Sequence, residues 1–325
     1  MIGLLGISVD LWVNAILKAV AVIGLFFTFG LVIGYIEHKT LAHMQARLGP
    51  MEAGRFHGWA QLIADAVKFI QKEDIIPETA DRSVFSIAPA VVLIPYLLVF
   101  LVIPFSPDLL AADLDSGIFF VLAATGVGII GVFMAGWASA NKFSLIGALR
   151  AAAQLIAYEL PLILAAAAVV MQAGTLSMLG IVEAQSSLWF ILIQPVAFLI
   201  FMVAALAELS RSPFDMPIAD SEIIVGAYTE YTGIKFAFFM LSEYGGIVAM
   251  SAIGAVLFLG GFLGPVLPPV IWMLAKTFLL AFLIIWVKAT YPRMREDQLQ
   301  RFAWIVLVPV ALVNVLVTAV LKVAF

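Results

Sequence analysis

Six carboxylates and only two cations lie between two long apolar runs of this chain, within residues 208–243. The six acids are Glu208, Asp215, Asp220, Glu222, Glu230 and Glu243. A further acid, Glu159, lies inside a separate apolar run. Ionisable groups at membrane depth are costly and mark functional sites. Carboxylates that repel one another and are withdrawn from water hold protons more tightly, so they can exchange protons near neutral pH.

These positions predict a proton path that leads from a polar loop into the membrane. Its members would be the loop-side acids Glu208, Asp220, Glu222 and Glu230, followed by Glu243 and Glu159 within the apolar runs. A solvated acidic face explains Glu222 and Glu230 equally well. It explains Glu159 poorly, because placing a carboxylate at lipid depth costs free energy that a merely solvated residue would not need to offset.

The elements that must position these acids are predicted to be membrane-spanning helices. The chain is 64% hydrophobic and 12% charged, with a mean hydropathy of +1.13. About 20 apolar residues cross a bilayer as a helix, and the period-two alternation of a β-barrel is absent. The sequence predicts one all-α, polytopic membrane domain over residues 1–325 with eight spans, at 11–36, 84–105, 118–138, 151–172, 188–208, 236–262, 269–290 and 301–323.

The positive charges predict the orientation of these spans. Most of the 17 Lys and Arg residues fall in or beside the connections at 37–83, 139–150, 209–235 and 291–300. Cytoplasmic connections carry the excess of Lys and Arg. We therefore expect these four loops in the cytoplasm, both termini on the outer face, and the acidic segment at the cytoplasmic side of a cell membrane.

One stretch of the first loop, near residues 57–72, has the spacing of an amphipathic helix. Its apolar positions recur at helical intervals and are Trp59, Leu62, Ile63, Ala66, Phe69 and Ile70. Polar residues occupy the other face. Such a helix is expected to lie along the membrane surface or against a peripheral partner.

The absence of cysteine limits the chemistry that this chain can perform. Without a thiolate it cannot hold an iron–sulfur cluster through cysteine. The three histidines, His38, His43 and His57, lack the i, i+4 spacing with which a helix binds zinc. We expect no metal site and no catalytic residue in the chain, so electron transfer must take place on a partner or a diffusible molecule.

Four segments, in this order and at this spacing, carry a resemblance to a known family. They are EHK...QARLGP...GWAQLIADAVKFIQKEDIIP, NKFSLIGALRAAAQLIAYELP, ALAELSRSPFDMPIADSEIIVGAYTEYTGIKFAFFMLSEY and YPRMREDQLQRFAWIVLVPVALVNVL. Together they closely resemble the quinone-site membrane subunits of respiratory complex I, over essentially the whole chain. The resemblance implies a non-redox subunit of a proton-translocating NADH:quinone oxidoreductase. Such a subunit would bind no cofactor itself, take quinone as substrate, contact other membrane-arm subunits, and dock beneath peripheral subunits that carry FMN and iron–sulfur clusters.

The resemblance also implies a quinone chamber. Glu37, Arg47 and Asp65 match positions that line its mouth, while Arg211, Phe214 and Asp215 match the loop that closes it. Alternatively, Arg47 and Asp65 pair with each other or with a partner subunit.

Two positions depart from the family pattern. Many relatives carry an acid where this chain has Ile218, and an arginine where it has His38. These changes remove one carboxylate from the loop and replace a permanent charge by a titratable one.

Two other functions remain open on the sequence alone. The same intramembrane acids could serve a self-contained proton or cation transporter, although internal repeats and mid-membrane breaks are not visible. The chain could also be the equivalent subunit of a membrane hydrogenase, of a dehydrogenase that uses the deazaflavin coenzyme F420, or of a photosynthetic ferredoxin-linked complex.

Overall fold

The computed structural model describes residues 11–218 and 220–324, and the side chains at 11, 12, 220 and 221 are not among those described. The expected position of both chain termini and the side chain of Asp220 therefore fall outside the described residues. Within them the fold is helical, with no strand. The helices are α1 (Leu11–Met44), α2 (Gln61–Gln71), α3 (Arg82–Val99), α4 (Gly117–Ala138), α5 (Lys142–Ala173), α6 (Met178–Glu183), α7 (Phe190–Ile193), α8 (Pro195–Glu208), α9 (Asp220–Ile223), α10 (Gly233–Phe258), α11 (Pro269–Thr290), α12 (Glu296–Arg301) and α13 (Val308–Ala324). A 3₁₀ turn, Gly226–Tyr228, precedes α10, and a π-helical turn, Phe302–Leu307, joins α12 to α13.

Among the described residues, seven helices are long and apolar enough to cross a membrane, which confirms the polytopic, all-α prediction. They are α1, α3, α4, α5, α10, α11 and the continuous segment Glu296–Ala324. All four expected loops are partly helical, and in two of them a long helix extends well into the loop. The helix α1 continues to Met44, and α5 begins at Lys142, where the Asn141 side chain caps it by accepting a hydrogen bond from Phe143 N at 2.8 Å.

The span expected at 188–208 differs from the prediction. It consists of the short α7 and the 14-residue α8, with a break at Gln194. Pro195 has no N–H to continue a helix ladder, and it starts α8 instead. The polar break is satisfied within the protein, because Gln194 accepts from Asn314 Nδ2 at 3.1 Å and donates to Thr318 Oγ1 at 2.8 Å. A broken helix at this depth is tolerated where neighbouring side chains complete its hydrogen bonds.

The helix α10 lies at the centre of the bundle and packs against α1, α3 and α11. Every residue from Gly245 to Phe258 is buried. Gly245 lets α1 approach closely, because a Cβ added there would lie 2.3 Å from the ring of Phe26. The C-terminal half of α10 therefore lies in the core of the bundle, and Glu243 lies just before this buried stretch.

The amphipathic helix α2 lies beside α1 and α10. Leu62 reaches toward Gly34 of α1, and the ring of Phe69 lies 5.9 Å from that of Phe236 on α10. Its other apolar residues, Ile63 and Ile70, are exposed. The helix is amphipathic as predicted, but only part of its apolar face is covered by this chain.

Candidate functional site

A buried ion-pair network lies where α1, α10 and α11 meet the loop after α8. Arg211, 2% exposed, donates from Nη1 to both carboxylate oxygens of Glu37, at 2.7 and 2.9 Å. Its Nη2 lies 2.9 Å from Glu243 Oε1. Lys288 Nζ lies 2.7 Å from Glu37 Oε1. The network therefore balances two carboxylates with two cations, which is how buried charge is tolerated.

Arg211 is shared between a predicted quinone residue, Glu37, and a predicted proton-path residue, Glu243. Burial by itself would lower the pKa of Arg211, whereas the charges of Glu243 and Glu37 raise it, and the resulting pKa lies above the ordinary arginine value. The guanidinium stays charged in this setting. A change in charge at either carboxylate therefore changes the electrostatic attraction acting on Arg211.

The loop that carries Arg211 follows α8 directly. Arg211 N donates to Leu206 O at 3.1 Å, which turns the chain back at the helix end. Phe214 N then donates to Arg211 O at 2.8 Å. Phe214 is buried, and its ring lies 5.2 Å from that of Tyr158 on α5. Asp215 follows in the same loop.

A cavity of about 50 Å³ lies next to this network, between α3, α4, α8 and α10. Glu208 and Glu243 both line it, with Tyr96 and Tyr228. The buried Oε2 of Glu208 has no hydrogen-bond partner among the described residues. A cavity of this volume with several polar groups has room for a few water molecules. Burial and the charge of Glu243 raise the pKa of Tyr228, so its hydroxyl remains protonated and able to donate.

Glu159 lies on α5, partly exposed, and outside the lining of that cavity. A Cβ added to Gly126 of α4 would lie 2.8 Å from Glu159 Oε1. The glycine therefore provides the space that this carboxylate occupies. Glu159 and Glu208 are near enough for their charges to repel each other.

Two other predicted proton-path residues are held in contacts outside this cavity. Glu222 is about half exposed and pairs with Arg150 at 2.5 Å and Arg293 at 3.5 Å. The hydrogen bond from Arg150, together with the Arg293 charge, lowers the pKa of Glu222. Glu230 accepts a hydrogen bond from the Asn141 amide. These contacts favour the solvated-face interpretation for Glu222.

The remaining predicted quinone residues lie on the first loop and on α2. Asp65 accepts from Gln61 and Lys68, each at 3.3 Å. Arg47 is exposed and donates to Gln45 at 2.8 Å. No ion pair joins Arg47 to Asp65 in the described part of the chain. The structure thus groups Glu37 and Arg211 directly, and it leaves Arg47 exposed and Asp65 partly buried outside that network.

A second recess, of about 300 Å³, opens on the same loop. Tyr35, Lys39, His43 and His57 line it, with Leu48 and Met51. Lys39 Nζ donates to Leu48 O at 3.3 Å, so this lysine holds the loop in its folded position.

Lys288 is the member of the ion-pair network that the sequence did not reveal. It lies in the last turn of α11, 251 residues from its partner Glu37. A basic residue at the end of a span is common. The sequence carries no signal that pairs it with an acid on α1.

Comparison with known proteins identifies relatives across almost the whole chain. The profile of the family described as NADH dehydrogenase matches residues 17–319. The NADH-quinone oxidoreductase H subunit of Dehalococcoides mccartyi strain CBDB1 is 47% identical over 310 residues, covering 95% of this chain and 87% of the relative. The corresponding H subunit of Geobacillus kaustophilus is 45% identical, with 94% and 92% covered. The second H subunit of Syntrophobacter fumaroxidans is 47% identical, with 93% and 94% covered.

Proposed function

The chain belongs to the NADH dehydrogenase family and is a membrane-arm subunit of an NADH-quinone oxidoreductase, and from that premise we propose that it couples a quinone chamber to a proton path through Arg211. The chamber would use Glu37, Arg47 and Asp65 at its mouth and Arg211, Phe214 and Asp215 at its closing loop. The proton path would run through Glu159, Glu208 and Glu243. The relatives' names favour an NADH-linked complex over the transporter and hydrogenase alternatives.

The observation that carries the proposal is the sharing of Arg211 between Glu37 and Glu243. Reduction of a quinone adds electrons and takes up protons, so it changes the local charge. A charge change beside Glu37 alters how strongly Arg211 is held there. The attraction left for Glu243 changes with it, because the two carboxylates compete for one buried guanidinium.

The changed attraction between Arg211 and Glu243 would also affect the cavity, because Glu243 lines it together with Glu208. When Arg211 withdraws, the Glu243 carboxylate loses its counter-charge and becomes free to accept hydrogen bonds from the cavity side. Water in the cavity would then connect Glu243 with the unpartnered Glu208 oxygen. Glu159, near Glu208 on the other side, would extend the path along α5.

Electrons would reach the quinone from partner subunits. We propose, from membership of the family, that FMN and iron–sulfur clusters lie there; this chain has no cysteine to hold a cluster itself. We place the chain in the cell inner membrane with both termini on the outer side. The exposed first loop and α2 would face the peripheral subunits and the quinone-bearing lipid.

Arg211→Ala and Asp65→Asn in the assembled complex test the proposal. We expect both variants to lower quinone reduction while leaving NADH oxidation by an artificial, cluster-level acceptor unchanged. The reason is that the electron carriers lie outside this chain, so the damage is confined to the quinone step. Wild-type quinone reduction in an assembled Arg211→Ala complex would reject the proposed role of Arg211.

A further inference from the structure

Gln154 of α5 joins the two ends of the loop that carries Arg211. Its side chain is 1% exposed. Its Nε2 donates to Ala207 O and to Phe214 O, each at 2.7 Å. Ala207 lies in the last turn of α8, and Phe214 lies beyond Arg211. One amide nitrogen therefore connects the two ends of the segment 207–214.

That segment holds the groups on which the proposed coupling depends. It begins next to Glu208, which lines the cavity, and contains Arg211, which binds Glu37 and Glu243. Ser210 N also donates to Ala207 O, at 3.0 Å, so the helix end is held from inside the loop as well. The Phe214 end is held by the bond from Gln154 and by packing against Tyr158. Two backbone bonds add to this, from Phe214 N to Arg211 O at 2.8 Å and from Met294 N to Pro213 O at 3.0 Å.

The Gln154 side-chain amide acts only as a hydrogen-bond donor among the described residues. Its buried Oε1 has no hydrogen-bond partner among the described residues. Burial of an unpaired amide oxygen costs free energy, which the two donated bonds must offset. An apolar side chain of the same length would avoid that cost and lose the connection between the two carbonyl groups. The arrangement is therefore suited to fixing the loop.

We propose that Gln154 is a positioning residue for the quinone step, which holds the 207–214 loop closed and thereby keeps Arg211 between Glu37 and Glu243. This inference rests on the proposed function. Without the two bonds, the Phe214 end loses its link through Gln154 to the end of α8 and can shift relative to it. The guanidinium then loses its fixed distance to both carboxylates, and the closing side of the chamber loosens.

The sharpest test is Gln154→Glu in the complete complex, with quinone KM measured across pH. An ionised glutamate has no donor and repels both carbonyl oxygens, whereas a protonated one donates to one of them. We expect quinone KM to rise roughly tenfold at high pH and to fall toward the wild-type value as pH is lowered. NADH oxidation by an artificial acceptor should keep its wild-type rate.

Titratable and charged groups near this position include Arg150, Tyr158 and Glu159 on α5, and Glu208, Arg211 and Asp215 on or next to the segment that it binds. A wild-type pH profile measured in parallel accounts for their own titration. Gln154→Met removes both donors without adding a charge. It should raise quinone KM with the pH dependence of the wild type.

Gln185 provides a matched control, because it is another buried glutamine whose Nε2 donates to two carbonyls. It binds Ile181 O at 3.1 Å and Val256 O at 2.8 Å, on elements away from the Arg211 loop. Gln185→Glu should leave quinone KM unchanged in the complexes that assemble.

Wild-type quinone KM in assembled Gln154→Glu and Gln154→Met complexes would overturn the inference. If Arg211→Ala still impaired quinone reduction, the proposed function would stand without it. If both Gln154 variants failed to assemble while Gln185→Glu assembled, Gln154 would be a folding determinant and the positioning role would be rejected.

Discussion

Arg211 Nη1 lies 2.7 Å from Glu37 Oε1, although the two residues are 174 positions apart in the chain. Both side chains are almost fully buried. Removing one member of such a pair leaves an uncompensated charge in the protein interior, which costs about 3–5 kcal/mol. We therefore expect the loss of either member to lower stability as well as to affect the proposed quinone step.

Glu37→Gln should destabilise the subunit and impair quinone reduction together, because Arg211 would keep only Glu243 as a counter-charge and Lys288 would lose its ion pair with Glu37. We expect a lower thermal midpoint of the purified complex, in line with a loss of about 3 kcal/mol. Glu37→Asp keeps the charge and should recover part of the stability. Equal midpoints for wild type and Glu37→Gln would contradict the charge balance described for the network.

Glu159→Gln should impair proton translocation more than assembly, because the amide keeps size and hydrogen bonding but cannot ionise. Glu159→Asp should retain part of the function with its ionisable group one methylene shorter. Proton gradients and quinone reduction measured in proteoliposomes distinguish these outcomes. Wild-type values for both in assembled Glu159→Gln complexes would exclude Glu159 from the path.

Gly126→Ala should reproduce part of the Glu159 defect without changing any ionisable group. The new Cβ would lie 2.8 Å from Glu159 Oε1, so the carboxylate must move. Gly24→Ala on α1 is the control, because a Cβ there meets no atom within 4 Å. Proton translocation is the measurement, and equal effects of the two alanine variants would argue against a fixed position for Glu159.

Glu222→Gln should cost little stability and leave proton translocation intact, since exposed ion pairs contribute about 0.2–1 kcal/mol. The pKa of Glu222 is lowered from its ordinary value of 4.5 in the folded protein. Its stabilisation is therefore present above pH 4.5 and lost as pH falls through the lower folded-state pKa. The difference in thermal midpoint between wild type and variant should shrink over that acidic range. Loss of the proton gradient in Glu222→Gln complexes at neutral pH would instead support a role for Glu222 in the proton path.

Single cysteines can test the orientation, because the chain has none of its own. Val266, 86% exposed, lies between α10 and α11, and Arg295 lies in the connection after α11. An impermeant maleimide should label Val266→Cys from the outer face and Arg295→Cys from the cytoplasmic face. Labelling of each cysteine from the opposite face would contradict the proposed topology.

The helical membrane class, the amphipathic α2 and the acid-rich segment after α8 could all be predicted from the amino-acid sequence. These are local properties, since hydropathy and helical periodicity depend on residues that are close together in the sequence. The family resemblance was also present in the sequence, and the relatives confirm it. The break at Gln194 was not predicted, because α7 and α8 together form one apolar run and composition does not report where a helix ladder is interrupted.

The pairing of acids with cations, in contrast, depends on the folded arrangement of the helices. Glu37 joins Arg211 and Lys288 from distant parts of the chain, while Glu222, only 11 residues beyond Arg211, turns to surface arginines. Those partners depend on how the helices are rotated and packed around α10. Gln154 likewise gains its role from two carbonyls on α8 and its following loop. Such contacts join residues far apart in sequence, and no local pattern encodes the packing that brings them together.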